Sequence, residues 1–282
     1  MADIGIWGLG SMGLGMAGSL VRAGHNVAGH DPRGVVLDGA TDVPVDQMQA
    51  AVIVVLNAAQ TESVIDQILP DLPPGAVIVA CATVPPAFAR AMEGRAQAQG
   101  IHYLDAPISG GAARAAQGDL AIMASGTPAA FAAAQPVLDA TATTIFRLGD
   151  AAGAGSAMKA VNQTLAGIHI AAMAEAMSFG ITQGIDPATF LDTIPKCAGT
   201  SWMLENRGPH IRDGDYTPRS MVDIWPKDLG IVQDIATEAG IDMPITQAAL
   251  TRFKEASAQG LGAEDDAAVA KIYAAQAGID LP

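Results

Sequence analysis

Lys159 is the first lysine of the chain and lies near the start of an apolar stretch, GAGSAMKAVNQTLAGIHIAAMAEAM. Burial in an apolar helix lowers the pKa of an amine, which allows a lysine to exchange a proton with a substrate. On a helix, Asn162 and Gln163 follow three and four residues later, so their amide groups share the face of Lys159. The alternative is a lysine whose long side chain extends from a buried helix to solvent. Composition alone leaves both interpretations open.

A second motif that could do chemistry is DAPISGG, residues 105 to 111. Ser109 offers a hydroxyl group, and Gly110 and Gly111 allow backbone N–H groups to approach a carboxylate closely. This combination can hold the anionic group of a substrate. The alternative is a glycine-rich turn that links two strands.

Glycines recur in IGIWGLGSMGLGMAGSL, between a predicted strand and a predicted helix. The pyrophosphate of a dinucleotide requires a tight turn, a close backbone approach and the positive end of a helix, and this placement supplies all three. Asp31 follows Gly13 by 18 residues, at the end of the next predicted strand. A carboxylate at that place accepts hydrogen bonds from the adenosine ribose. The alternative is an ordinary glycine-rich turn. The residues expected to bind the cofactor here are Gly8, Gly10, Ser11, Met12, Gly13 and Asp31.

The charge of Asp31 bears on the choice of cofactor. A carboxylate repels the 2′-phosphate of NADP and so favours NAD. Arg33, two residues farther on, is placed to reverse that preference in part. NAD is therefore the expected cofactor, and NADP is the less favoured one.

The elements around these motifs predict two domains. In residues 1 to 150, short apolar or β-branched runs alternate with Ala-rich helical segments, as in a parallel sheet covered by helices. After the Gly-rich stretch 148 to 155, helical segments follow one another to the last residue. We expect a Rossmann-type, doubly wound α/β domain over residues 1–151 and an all-helical domain over 152–282 for substrate binding and oligomerisation. A long helix from about 154 to 182, apolar nearly all round, is expected to be buried centrally in the second domain or against a second subunit. The predicted strands are IGIWG, NVAGHD, AVIVVLN, AVIVACAT, IHYLDAP, LAIMASG and TTIFRLG, and the helices between them are SMGLGMAGSLVRAG, TESVIDQILPDL and PPAFARAMEGRAQAQG.

The overall composition narrows the classes of function. A net charge of −14 argues against nucleic acid or an anionic membrane as a partner. The two cysteines have no metal-ligand spacing with the five histidines, so no metal site is predicted. No signal peptide or uninterrupted run of about 18 apolar residues is found, which predicts a cytoplasmic protein without a membrane span. Because only 16% of the residues are charged, we expect a homodimer or homotetramer that covers apolar surface.

Four motifs in order, GxGxxG, DAPISGG, GAGSAMKAVNQ and KDL (residues 227–229), resemble the β-hydroxyacid dehydrogenase family, which includes 3-hydroxyisobutyrate dehydrogenases. Within that family, NQTLAGIHIAAMAEAMSFG and SWMLENRGPHIRDGDYTPRSMVDIWPKDLGIV most resemble the L-threonate dehydrogenase branch. The resemblance implies a Rossmann domain joined to a helical domain, with the active site between them.

The resemblance also implies roles for particular residues. Lys159 is the general base, and Ser109 with the two glycines after it binds the carboxylate of a small anionic hydroxy acid. Either Asn162 or Gln163 contacts substrate, since many relatives have Asn where this chain has Gln163. Two cofactor positions depart from the family pattern, because Asn57 replaces a proline and Ala82 replaces a serine. The remaining implied cofactor contacts are Leu56, Asn57, Thr83 and Lys227.

The implied reaction is NAD-dependent oxidation of a small hydroxy acid, L-threonate or a similar aldonate, to the oxo acid. One alternative is reduction of a short semialdehyde such as tartronate or succinic semialdehyde, another is 3-hydroxyisobutyrate oxidation, and a third is a nucleotide-binding sensor without turnover. Arg207, Arg219 and Asp223 either hold a polyhydroxylated substrate tail or form ordinary ion pairs.

Overall fold

The computed structural model describes all 282 residues, Met1–Pro282, which fall into two units, Met1–Lys159 and Ala160–Pro282. The first unit is α/β and the second is helical, which confirms the predicted fold class. The division by contacts falls within a long helix, Ala154–Thr182, whereas the predicted domain boundary at residues 151 and 152 lies just before that helix begins. The boundary itself stays a prediction.

The first unit contains a five-stranded sheet in the order β2-β1-β3-β4-β5, in which every pair is parallel. All five strands were predicted from their short apolar runs. Parallel strands in this arrangement bring their carboxyl ends, and the turns that follow them, to one edge of the sheet. The strands are β1 Asp3–Trp7, β2 Asn26–His30, β3 Ala50–Ile53, β4 Val77–Ala80 and β5 His102–Asp105.

Both faces of this sheet are buried, as expected for parallel strands covered by helices on both sides. In β4, Val77 and Val79 belong to one apolar cluster, and Ile78 and Ala80 belong to the other. This alternation follows from the two-residue period of a strand. The helices of the unit are α1 Ser11–Arg22, α2 Ala58–Ile68, α3 Pro86–Gln97, α4 Gly111–Gln117 and α5 Pro128–Thr141.

A second, three-stranded sheet contains β6 Ile108–Ser109, β7 Leu120–Ala124 and β8 Ala142–Arg147. The sequence predicted β7 and β8 but not β6, because two residues are too few to show an alternating pattern. β6 pairs antiparallel with β7, and β7 pairs parallel with β8. Helix α4, with seven residues, and helix α5, with 14, lie on either side of β7 in the chain and were also absent from the predicted elements.

The second unit is built from helices around an apolar core. The core includes Ile170, Met173 and Met177 from α6, with Trp225 and Phe253, whose rings stack at 5.4 Å. Short 3-10 and π turns join some of the helices. The helices are α6 Ala154–Thr182, α7 Pro187–Thr193, α8 Trp202–Asp213, α9 Ile224–Ala239, α10 Pro244–Ala256 and α11 Ala270–Ala277.

Helix α6 has the predicted bounds, but it is not buried all round. One face lies in the core of the second unit, while Val161, Leu165 and Phe179 remain 57%, 53% and 65% exposed. With 29 residues, α6 is long and apolar enough to cross a membrane by length and composition alone, a test that core helices of soluble proteins also pass.

Candidate active site

The turn after β1 has the shape that the glycine pattern predicts. Gly8 has a φ of +92°, and a Cβ there would lie 2.2 Å from the carbonyl oxygen of Val54. A Cβ on Gly13 would lie 1.8 Å from the carbonyl oxygen of Gly8. Only glycine fits either position, so the turn stays tight and α1 packs directly against it.

The start of α1 fits a dinucleotide pyrophosphate. Gly10 is the N-cap residue of α1; no side chain caps the helix, and no acidic residue lies in its first turn. A Cβ on Gly10 would find only a guanidinium nitrogen of Arg33, 3.9 Å away. Without a side chain at residue 10, the N-terminus of α1 is left open beside Gly10, and Ser11 is exposed there. Backbone N–H groups at a helix N-terminus attract phosphate.

Asp31 lies directly after β2, as predicted, and Arg33 covers it. Its Oδ2 accepts a hydrogen bond from the Leu9 N–H at 2.8 Å. Arg33 Nε donates to Oδ1 and Arg33 Nη2 to Oδ2, both at 2.9 Å. These bonds, first of all those from the Arg33 side chain, hold the pKa of Asp31 well below its usual range. The Asp31 side chain is 3% exposed and that of Arg33 is 65% exposed, so the Arg33 side chain lies between Asp31 and solvent.

Asn57, where the family pattern has proline, is the N-cap of α2. Its side chain accepts a hydrogen bond from the Gln60 N–H at 2.9 Å, and the Gln60 side chain accepts one from the Leu56 N–H at 2.8 Å. This reciprocal pairing resembles a capping box and fixes the turn after β3 without a proline. Leu56 remains 49% exposed beside it. Thr83 is half-buried, directly after the buried Cys81 and Ala82.

The DAPISGG segment runs from the last residue of β5 through β6 to the first residue of α4. Gly110 and Gly111 have φ values of +139° and +80°, a conformation that favours glycine. No atom lies within 4 Å of a Cβ placed on Gly111, so the backbone there is open to a ligand. Ser109 is half-buried and Gly111 is exposed.

Lys159 reaches this segment. The residue is 8% exposed, and its Nζ donates a hydrogen bond to the carbonyl oxygen of Ile108 at 2.9 Å. Ile108 directly precedes Ser109, so the structure brings the lysine and the DAPISGG backbone together within the first unit. The side chain is buried and does not extend to solvent.

Two carboxylates that the sequence did not single out bind the motifs. Asp105, the first residue of DAPISGG, is 1% exposed and accepts hydrogen bonds from the start of α6. Asp228, within KDL, is 3% exposed and accepts a hydrogen bond from Gln163 Nε2 at 2.5 Å. Their position inside recognisable motifs was the one signal available, because their partners are distant in sequence.

In the second unit, the predicted site residues Asn162, Gln163 and Lys227 are linked through Asp228 in one chain of polar contacts. Asn162 Nδ2 donates to Gln163 Oε1 at 2.9 Å, and Gln163 donates in turn to Asp228. Lys227 Nζ lies 2.5 Å from Asp228 Oδ1 in an ion pair. Gln163 is 7% exposed, whereas Asn162 is half-buried.

Three other polar residues have partners of their own in the second unit. Arg207 is buried and pairs with Asp266 at 2.6 Å, and Arg219 Nη2 lies 4.0 Å from Asp215. Asp223 accepts a hydrogen bond from Ser257 Oγ at 2.6 Å. These contacts are those of ordinary ion pairs and loop anchors.

Two family models together match most of the chain. One, described as the NAD binding domain of 6-phosphogluconate dehydrogenase, matches residues 3–149. The other, described as NAD-binding of NADP-dependent 3-hydroxyisobutyrate dehydrogenase, matches residues 153–273. The first unit is therefore an NAD-binding domain, in agreement with the geometry of its glycine turn.

Known relatives span the chain nearly from end to end. The L-threonate dehydrogenase of Cupriavidus necator is 48% identical, over 99% of this chain and 98% of that protein. The L-threonate dehydrogenase of Escherichia coli K12 is 41% identical, over 99% of this chain and 96% of that protein. The crystal structure of a 3-hydroxyisobutyrate dehydrogenase from Salmonella typhimurium is 43% identical, with a TM-score of 0.91 over 96% of this chain and 100% of that one. The chain therefore belongs to the NAD(P)-dependent β-hydroxyacid dehydrogenase family, whose members oxidise hydroxyl donors.

Proposed function

We propose that the chain oxidises L-threonate, or a similar four-carbon aldonate, with NAD and that Lys159 is the general base. The observation that carries the proposal is the hydrogen bond from Lys159 Nζ to Ile108, next to the residues proposed to hold the substrate. The names of the 41% and 48% identical relatives support an aldonate over other hydroxy acids.

The chemistry that NAD supplies, when bound, is acceptance of a hydride from the carbon that bears the hydroxyl group. Lys159, as a neutral amine, takes the hydroxyl proton while the carbonyl bond forms, so that negative charge does not accumulate on the oxygen. In the reverse direction the ammonium returns that proton. Burial of Lys159 keeps bulk water from competing for the proton.

The substrate carboxylate is assigned to Ser109, Gly110 and Gly111. The Ser109 hydroxyl donates one hydrogen bond, and the open backbone at the glycines offers N–H donors. Helix α4 has only seven residues, so these local donors, more than a helix dipole, account for the binding. On the cofactor side, the assigned residues are Gly8, Gly10, Ser11, Met12, Gly13, Asp31, Leu56, Asn57 and Thr83.

The second unit contributes Asn162, Gln163 and Lys227 in this proposal. Gln163 Nε2 is committed to Asp228, which in turn pairs with Lys227, so we assign Gln163 to holding that pair in place. Asn162 uses its Nδ2 on Gln163 and keeps its Oδ1 as an acceptor for a substrate hydroxyl. Lys227 is assigned to contact with the cofactor and substrate, as the family resemblance implies.

A substrate panel distinguishes the proposed reaction from the alternatives. Purified protein is mixed with NAD or NADP and with L-threonate, D-threonate, 3-hydroxyisobutyrate, glycerate or L-serine, and reduced cofactor is followed by absorbance. Tartronate and succinic semialdehydes are tested in the reverse direction. The highest kcat/KM is expected with L-threonate and NAD. Higher kcat/KM with 3-hydroxyisobutyrate or with a semialdehyde would refute the aldonate assignment, and no turnover with any member would favour a nucleotide sensor.

The general base is tested by Lys159→Ala. Loss of a positioned acid–base group lowers kcat by about 10²- to 10⁴-fold, while the Kd for NAD changes little. Lys254→Ala removes an exposed lysine from α10 and serves as the matched control. Near-normal turnover by Lys159→Ala would show that another group takes the proton.

We further propose that the protein is cytoplasmic and forms a homodimer or homotetramer. The support is the low share of charged residues, 16%, and the apolar side chains of Val161, Leu165 and Phe179 that α6 leaves exposed. Sedimentation as a monomer at micromolar concentration would refute the oligomer.

A further inference from the structure

We propose that Asp105 is a positioning residue for Lys159: its carboxylate holds the first turn of α6 and thereby sets the place of the lysine beside DAPISGG. The inference rests on the proposed role of Lys159 as the base. All of the residues in the argument belong to the first unit, Met1–Lys159.

Four hydrogen bonds converge on the Asp105 carboxylate. Oδ2 accepts from the Gly153 N–H and the Ser156 N–H, both at 2.9 Å. Oδ1 accepts from Ser156 Oγ at 2.7 Å, and Ser125 Oγ donates to Oδ2 at 3.2 Å. Two of these donors belong to Ser156 in the first turn of α6, and a third is the N–H of Gly153, the residue just before the helix. A carboxylate bound to the first amides of a helix is favoured by the helix dipole as well as by the hydrogen bonds.

The same turn of α6 packs directly on the backbone of two strands. A Cβ on Gly155 would lie 2.3 Å from the carbonyl oxygen of Met123 and 2.8 Å from that of Asp105. The Gly155 N–H also donates to Ser125 Oγ at 2.9 Å. The start of the helix is therefore held against the sheet both by close backbone packing at Gly155 and by the hydrogen bonds to Asp105.

Lys159 follows Ser156 by one helical turn, so the turn held by Asp105 determines where the lysine side chain starts. The far end of that side chain is bonded to Ile108, three residues after Asp105. One segment, DAPISGG, thus holds both the helix start and the amine of Lys159. Loss of the carboxylate contact frees the turn and moves Nζ relative to the reacting atoms, and a displacement of about 1 Å at a reacting group costs about 100-fold in rate.

A neighbouring carboxylate offers a matched control. Glu93, on α3, is 8% exposed and accepts a hydrogen bond from the Ala152 N–H at 3.1 Å. It touches the chain two residues before α6 begins and has no bond to Ser156. Glu93→Gln therefore removes a buried charge near the same helix end and leaves the turn before Lys159 bonded.

The experiment compares Asp105→Asn and Glu93→Gln with wild type, using L-threonate and NAD, or the panel member with the highest turnover. Asp105→Asn is expected to lower kcat about 100-fold, with the Kd for NAD within about twofold of wild type. Glu93→Gln is expected to keep kcat within about threefold. If the two variants lose kcat equally, or if Asp105→Asn keeps it, the positioning role is refuted.

A second readout does not depend on activity. Amide hydrogen exchange of residues 153–159, measured without NAD, is expected to accelerate in Asp105→Asn and to stay unchanged in Glu93→Gln. If Asp105→Asn does not fold, Ser156→Ala removes one of the four bonds and is expected to show the same changes to a smaller extent. Unchanged exchange refutes the inference even if wild type turns over no substrate, whereas inactivity of wild type, or full activity of Lys159→Ala, refutes the proposed function instead.

Discussion

Asp31 and Asp105 occupy equivalent places in the sheet and have opposite surroundings. Asp31 directly follows β2 and Asp105 ends β5, so both carboxylates lie at the carboxyl edge where open α/β sheets bind ligands. The Arg33 guanidinium holds the pKa of Asp31 well below its usual range. Burial raises the pKa of Asp105, although Ser156, Gly153 and Ser125 donate hydrogen bonds to it.

The difference lies in what each set of donors can do. Besides the backbone N–H groups of Leu9 and Arg33, Asp31 is covered by one exposed side chain, that of Arg33, which can swing into water without unfolding any backbone. The donors on Asp105 are mostly the amides and hydroxyl at the start of α6, which cannot leave without opening the helix. We therefore expect Asp31 to bind a ligand and Asp105 to hold the start of α6, although both lie at the same edge of the sheet.

The comparison predicts separable defects in two variants. Asp31→Ala is expected to raise the Kd for NAD by about 10- to 100-fold, because hydrogen bonds to a charged group contribute about 1.5–3 kcal/mol. The same change removes the repulsion of a 2′-phosphate and is expected to narrow the gap between NAD and NADP. Calorimetric titration measures both Kd values, with Asp105→Asn as the control that keeps its NAD affinity. If the Kd for NAD in Asp31→Ala stays within about twofold of wild type, the Asp31 carboxylate does not contribute to NAD binding.

The contributions of Asp31 and Asp105 to the free energy of unfolding should change with pH in opposite directions. A lowered pKa in the folded state, as for Asp31, contributes stability above the unfolded pKa that is lost as the pH falls through the folded value. A raised pKa, as for Asp105, contributes stability below the unfolded pKa that is lost as the pH rises through the folded value.

Urea unfolding measures the Asp31 contribution from about pH 2 to about pH 4, below the usual aspartate pKa, and the Asp105 contribution from about pH 4 to about pH 7, above it. With rising pH, the difference in free energy of unfolding between wild type and Asp31→Asn is expected to grow. The difference between wild type and Asp105→Asn is expected to shrink. If the two differences in free energy of unfolding changed in the same direction with pH, the proposed contrast between Asp31 and Asp105 would be wrong.

Sequence patterns predicted the features that depend on residues close together in the chain, among them the position of Asp31. The glycine spacing and the interval of 18 residues placed Asp31 after β2, because strand, turn and helix follow one another directly in the chain. The bounds of α6 were predicted for the same reason, since a Gly-rich stretch and a long apolar run lie side by side. Asn57, although it departs from the family pattern, is also explained locally by its role as a helix cap.

The roles of Asp105 and Gln163 could not be predicted, because their partners are remote. Asp105 binds residues 48 and 51 positions away, and Gln163 binds Asp228, 65 positions away. The pairing of β6 with β7 has the same character, since only two residues are involved. A periodic pattern indicates which face of an element is buried, but not which distant group contacts that face. The sequence therefore singled out Lys159 as an unusual lysine in an apolar helix, but it did not indicate that Asp105 holds the start of that helix.

The smallest expected effect tests whether Arg33 is a removable cover. Because an exposed ion pair contributes at most about 1 kcal/mol, Arg33→Ala is expected to lower the Kd for NAD by no more than about fivefold. The reason is that the ribose no longer has to displace the guanidinium from Asp31. The effect should vanish in the Asp31→Ala background, since no carboxylate remains to be uncovered, and a double-mutant cycle with all four proteins measures that coupling. Weaker NAD binding by Arg33→Ala would instead make Arg33 a ligand contact, and Asp31 would then be held by its neighbour in the bound state as firmly as Asp105 is held by α6.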